Sequence, residues 1–224
     1  NTALNTNTAV PSNSAKKLSC SNALSQISAT SKQIALTFDM AADNANVATL
    51  LDALTTQKIS ATFFVSGTYA TKHPATTKRI ATNFEMGNHG FDTSSYATLT
   101  AAKVTKEITD TETSFQNALG DSEGKTPYLF RSPYGEIAPA IVQGAQQAGY
   151  CTILWTVDTF DWKNDQTAAG AATRGTDKLK PGAIILFHAG YDITADAVSQ
   201  FITAATAQGY TFSTVSQLLS TGGY

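Results

Sequence analysis

The chain has 224 residues, enough for one large core, and a formal net charge of −2 with only 14% charged residues. No cluster of five or more Lys or Arg occurs, which excludes the basic footprint of a nucleic-acid-binding domain. No apolar stretch approaches the roughly 18 residues that a membrane-spanning helix needs, so no transmembrane segment is expected, and the protein is expected to be a monomer.

Residues 1–17 are mostly Asn, Thr, Ala and Ser, too poor in apolar side chains to build a core. They predict an extended arm held against the rest of the chain, and residues 22–29 leave room for a short helix. Residues 1–31 are accordingly read as an N-terminal arm and 32–224 as a single domain. The chain has two cysteines, Cys20 and Cys151. They are either two buried thiols or one disulfide, and the disulfide is expected if the compartment is oxidising, because the arm needs an anchor. Abundant uncharged polar residues suit a secreted, carbohydrate-facing protein.

From residue 33 the pattern alternates. Apolar, β-rich runs at 33–39, 59–65, 128–131, 151–157, 183–187 and 210–212 predict strands, and as continuous apolar runs they predict burial on both faces. Between them Val47, Leu50, Leu51 and Leu54 share one helical face, as do Val104, Ile108, Phe115 and Leu119, and again Val198, Phe201 and Ile202. Gly149 and Gly209 each close a helix and open a strand. The alternation predicts an α/β fold with a mainly parallel sheet, a distorted (β/α) barrel in one domain.

In such folds the chemistry sits at the C-terminal ends of the strands. There the chain places Asp39-Met40, His89 with Asp92-Thr93, Arg131-Ser132-Pro133-Tyr134-Gly135, Asp158-Thr159-Phe160-Asp161-Trp162, and His188. Five polar clusters at five such ends are expected to converge on one rim.

Together, over about residues 32–220, these segments resemble the polysaccharide deacetylases, the chitin-deacetylase-like family with a NodB homology domain. An active member removes the acetyl group from an N-acetylglucosamine unit, using a metal, usually zinc, held by one Asp and two His. The resemblance implies that Asp39 is the general base, with Arg131 paired to it. The Tyr134 backbone faces the oxyanion, Trp162 lines the acetyl pocket, and Asp161 orients His188 as the acid. It also implies that Met40 stands where the family has its Asp ligand and Thr93 where it has the second His, so that His89 alone matches the ligand set. A thioether is a poor ligand for such a cation. Asp92 is the nearest substitute, and one His with one Asp falls short of the three protein ligands of catalytic zinc. His73, beside Pro74 at the start of a surface helix, reads as solvated.

The residues predict a pseudoenzyme: a deacetylase-like protein that is catalytically inactive, binds no metal cofactor, is extracellular or at a cell wall, and has chitin or another GlcNAc-containing polysaccharide as partner. Two alternatives stay open. One is a weakly active deacetylase using Asp39 and His188, and the other is a carbohydrate-binding wall protein using the remnant groove.

Overall fold

Ile34, Leu36 and Phe38 alternate with Ala35, Thr37 and Asp39 along the first apolar run, and successive side chains of a strand face opposite sides of the sheet. The structure, a computed structural model, describes residues 20–44, 46–120 and 128–222, and in it this run is the centre of the sheet. The strands are β1 (Gln33–Met40), β2 (Thr62–Val65), β3 (Glu85–Asn88), β4 (Leu129–Phe130), β5 (Cys151–Thr152), β6 (Val157–Asp158), β7 (Ile184–His188) and β8 (Thr211–Ser213). They pair in parallel in the order β5-β4-β3-β2-β1-β7-β6, with β8 against the start of β1. The sheet curls into a half-barrel, the distorted (β/α) barrel expected.

The connecting helices are α1 (Asn46–Thr56), α2 (Gly67–Lys72), α3 (Pro74–Asn83), α4 (Ala101–Leu119), α5 (Pro139–Ala148), α6 (Ala168–Thr176), α7 (Thr194–Ala207) and α8 (Val215–Thr221). The expected faces of α1, α4 and α7 are the buried ones. Gly149 caps α5 in the left-handed region at φ 87°, as expected of a helix-ending glycine.

Three local expectations are corrected. The 151–157 run is two strands at opposite ends of the sheet order, β5 and β6. The 22–29 segment is not a helix, because its backbone bonds to the chain at that break and just before β7. The Leu24 N–H donates to Thr152 O at 2.9 Å, Leu154 N–H to Leu24 O at 2.8 Å, and Ile27 N–H to Gly182 O at 3.0 Å. Strand β3 had no β-rich signal in Glu-Met-Gly-Asn, and its Gly87 is required by packing, since a Cβ there would sit 2.7 Å from the Phe64 ring. The expected arm over residues 1–17 lies outside the described residues. Cys20 and Cys151 form a disulfide across 131 positions, which contributes roughly 4–5 kcal/mol in the chain-entropy account.

At the opposite end of the sheet from the candidate site, Glu85 ties α8 to β2 and β3. Its carboxylate accepts from the Thr62 hydroxyl at 2.7 Å, from the Ser216 N–H at 3.3 and 3.4 Å, and from the Ser216 hydroxyl. Burial pushes its pKa up from 4.5 to about 7. The folded protein therefore holds this proton more tightly than the unfolded chain. The resulting stabilisation is complete below about pH 4.5 and is lost as pH rises towards 7. Glu85→Gln should leave the melting temperature nearly unchanged at pH 4 and stabilise by about 1–2 kcal/mol at pH 8. Melts at the two pH values check this, and a difference independent of pH contradicts it.

Candidate active site

Register alone assembles the rim. Asp39 of β1 lies opposite His188 of β7, Met40 opposite Val65, Val65 opposite Asn88, and Asn88 opposite Phe130. His89 and Arg131, each one residue further on, therefore emerge beside Asp39.

Arg131 is fully buried. Its Nη1 donates to Asp39 Oδ1 at 2.8 Å, its Nε to Ile153 O at 3.1 Å and its Nη2 to Leu154 O at 2.9 Å, and the guanidinium lies 4.0 Å from the centre of the Phe64 ring. A buried ion persists when it is both paired and hydrogen-bonded, and every face of this one is used. Taking the two carbonyls also accounts for the break between β5 and β6, since those groups are turned to the guanidinium. Burial alone would raise the Asp39 pKa, but the charges of His89, Arg131 and His188 outweigh it and hold the carboxyl below its usual range.

His89 is buried and its Nδ1 lies 2.8 Å from Arg131 O, while its Nε2 is 3.6 Å from Asp39 Oδ2. Burial lowers its pKa more than Asp39 and the carbonyl raise it. A carbonyl only accepts, so Nδ1 carries a proton, and Nε2 is turned to the site beside Asp39, the arrangement of a histidine metal ligand.

His188 is held by Asp161. Its Nδ1 is 2.9 Å from Asp161 Oδ1, its backbone N–H donates to Oδ2 at 2.7 Å, and the Thr194 hydroxyl donates to the same oxygen at 2.7 Å. Burial works against the imidazolium, but the Asp161 bond and the nearby charges of Asp39, Asp161 and Asp158 raise the pKa above 6.5. The stabilisation from this pair is complete below pH 6.5 and is lost as pH rises through the folded-state value. A titration of the His188 ring by NMR should show a pKa above 6.5, and Asp161→Asn should bring it down. A value unmoved by that change contradicts the pairing as its cause.

The positions expected to match the family's other two ligands are Met40 and Thr93. Met40 is fully buried, on the face of Ile34, Leu36 and Phe38 and in their apolar cluster. Thr93 is exposed in an irregular loop. Asp92 Oδ1 accepts from the Ser94 N–H at 2.9 Å and from the Ser94 hydroxyl at 2.5 Å, so the nearest substitute is occupied in its own turn. Among the described residues no group of three or more His, Cys, Asp or Glu is arranged to hold a metal ion. One imidazole, a buried thioether and an exposed hydroxyl do not form the donor set of a zinc site, and no step is derived through a metal. His73 stands apart, 3.0 Å from Asp43 Oδ2 at the N-cap of α3.

Tyr134 follows Arg131 by three positions, and Trp162 borders the same rim. Tyr134 is 74% exposed in a short turn at φ 57°, and Trp162 is 40% exposed with its ring centroid 6.5 Å from that of His188. Sequence reasoning missed Tyr191, whose ring lies 5.9 Å from that of His188, and Thr194. The motif reading stopped at His188, although both follow within six positions.

An all-parallel half-barrel carrying a carboxylate–arginine pair and a histidine–carboxylate pair on one rim defines a hydrolase frame, and the sequence profile of the polysaccharide deacetylases matches residues 26–153. The chain belongs to the polysaccharide deacetylase family. It is 33% identical over 195 residues to the peptidoglycan-N-acetylglucosamine deacetylase PgdA of Listeria monocytogenes, a match covering 84% of this chain and 39% of that protein, so the chain spans about two fifths of that relative's length. It is 32% identical over 194 residues to a peptidoglycan-N-acetylglucosamine deacetylase of Bacillus cereus, covering 84% of this chain and 88% of that one. Among solved structures it superposes with a TM-score of 0.81 and 28% identity on a CE4 family pseudoenzyme from Bacillus anthracis, covering 89% of this chain and 69% of the other. A mutant of that pseudoenzyme with restored enzymatic activity superposes equally well, at 0.81.

Proposed function

We propose that this chain is a catalytically silent member of the polysaccharide deacetylase family that engages a GlcNAc-containing glycan at the cell wall, outside the cell. The deacetylase-like unit is residues 32–224, with residues 1–31 as its arm. The observation that carries the reading is Met40, buried as core at the position where the family has a carboxylate ligand, with an exposed Thr93 at the second lost position. The superposition on a pseudoenzyme of the same family supports it. The peptidoglycan substrates of the named relatives and the disulfide support the location, and no helix among the described residues is long and apolar enough to cross a membrane. Acetate release from chitopentaose and from peptidoglycan, with zinc or cobalt supplied, tests it. No release above buffer is expected. Turnover that follows added metal would favour the weakly active alternative, for which the retained Asp39–Arg131 and Asp161–His188 pairs are the specific support.

A further inference from the structure

Two exposed aromatic rings border His188 and neither belongs to the core. Trp162 is 40% exposed and Tyr191 41%. Both stand steeply on the imidazole, at interplanar angles of 73° and 85°, with no ring contact between the two among the described residues. The His188 Nδ1 is taken by Asp161, so Nε2 is the nitrogen left for a ligand.

The loops carrying these rings are fixed. The Asn44 side-chain amide donates to Gly190 O and to Asp192 Oδ1, each at 3.0 Å, and the Asn46 side chain donates to Asp192 O at 3.1 Å. The Thr194 N–H donates to Tyr191 O at 3.2 Å. Tyr191 is thus clamped on both sides, while its hydroxyl makes no hydrogen bond among the described residues. On the other side Asp158 Oδ1 accepts from the Phe160 N–H at 2.8 Å and Oδ2 lies 3.4 Å from the Trp162 indole nitrogen. Phe160 is held at φ 58°, a conformation that a bulky residue keeps only where its surroundings enforce it, and Arg174 packs on its ring at 3.8 Å. Large apolar area is thus held in water by polar anchors, and holding such area in place lowers the ordering cost of binding.

We infer that Tyr191 is a glycan-binding residue, a stacking platform that with Trp162 seats one N-acetylated hexosamine of an oligosaccharide over His188. The ligand class is the one proposed above, and the two rings and the imidazole suit it. The C–H face of a pyranose suits an aromatic face, while its hydroxyl and acetamido groups suit the imidazole nitrogen and the Tyr191 hydroxyl. The inference rests on the glycan-engaging reading above and adds to it a residue and a mode of contact that need neither metal nor turnover.

Calorimetry with chitopentaose and with peptidoglycan-derived glycan strands tests it on wild type, Tyr191→Ala and Tyr191→Phe. Wild type should bind at least one of the two glycans, and the one it binds names the source. Tyr191→Ala should weaken that binding about tenfold or more, and Tyr191→Phe, which keeps the ring, should bind close to wild type. Because Tyr191 is exposed, the melting temperatures of all three should coincide. If wild type binds and Tyr191→Ala binds equally well, Tyr191 is not the platform and the glycan reading stands without it. If wild type binds neither glycan, the reading and the inference fall together.

Discussion

Met40→Asp combined with Thr93→His should turn this chain into a zinc protein. His89 already presents the geometry of a ligand, with Nδ1 on the Arg131 carbonyl and Nε2 towards the site. The double change would complete the three protein ligands that catalytic zinc takes. A partner that merely orients a ligand is worth about 10–100-fold in metal affinity, and a ligand is worth at least as much, so two should raise zinc affinity by about 10²–10⁴-fold. Either single change should do far less. Met40→Asp alone also buries a carboxylate among Phe38 and its apolar neighbours, beside Asp39 and without a cation, so it should lower the stability of the metal-free protein. Calorimetric titration with zinc of wild type, both singles and the double checks this. A double variant that binds no better than wild type means that position 40, which faces the apolar cluster, or the loop carrying Thr93 does not reach the site.

Arg131→Ala should destabilise the fold by about 3–5 kcal/mol, the cost of stranding one member of a buried pair. The guanidinium is fully buried and holds Asp39, Ile153 O and Leu154 O together, so its removal leaves a carboxylate and two carbonyls unpartnered and a void against Phe64. For a chain of this size that corresponds to a fall of roughly 10 °C in melting temperature. The deficit also has a pH signature. The Asp39 pKa is below its ordinary 3.8 in the folded protein, so its contribution is present above that value and is lost as pH falls through the lower folded-state one. In Arg131→Ala the stranded carboxylate gains by taking up a proton, so the gap to wild type should narrow in acid, and Asp39→Asn added to Arg131→Ala should recover part of the loss. A melting curve for Arg131→Ala that overlays wild type at pH 7 contradicts the account of this pair.

The extent to which the molecule could be read from its residues follows from how local each signal is. Strands β1 and β7 are legible because Ile34 to Phe38 and Ile184 to Phe187 are long apolar runs buried in the middle of the sheet. Strand β3 is not, because Glu85-Met86-Gly87-Asn88 is chosen by neighbours, with Gly87 making room for Phe64. The split of residues 151–157 depends on a distant arginine that takes the carbonyls of Ile153 and Leu154. Residues 22–29 look helical in isolation and are extended because the carbonyls of Thr152 and Gly182 accept from them and the Leu154 N–H donates to them. At the rim, the expected departures at Met40 and Thr93 are read from single residues in their motifs, as are the partners Arg131 and Asp161, whose bonds to Asp39 and His188 the structure contains. Tyr191 was hidden, since nothing in Ala189-Gly190-Tyr191 says that Asn44 and Asn46, nearly 150 positions earlier, hold that ring beside His188.

In the function proposed here the ligand set, and not the rest of the rim, separates this chain from an active deacetylase. Metal content measured by mass spectrometry, after equilibration of the intact protein with excess zinc and removal of free ion, tests it most directly. Zinc far below one equivalent per chain is expected. One tightly held equivalent, lost on His89→Ala, would contradict it.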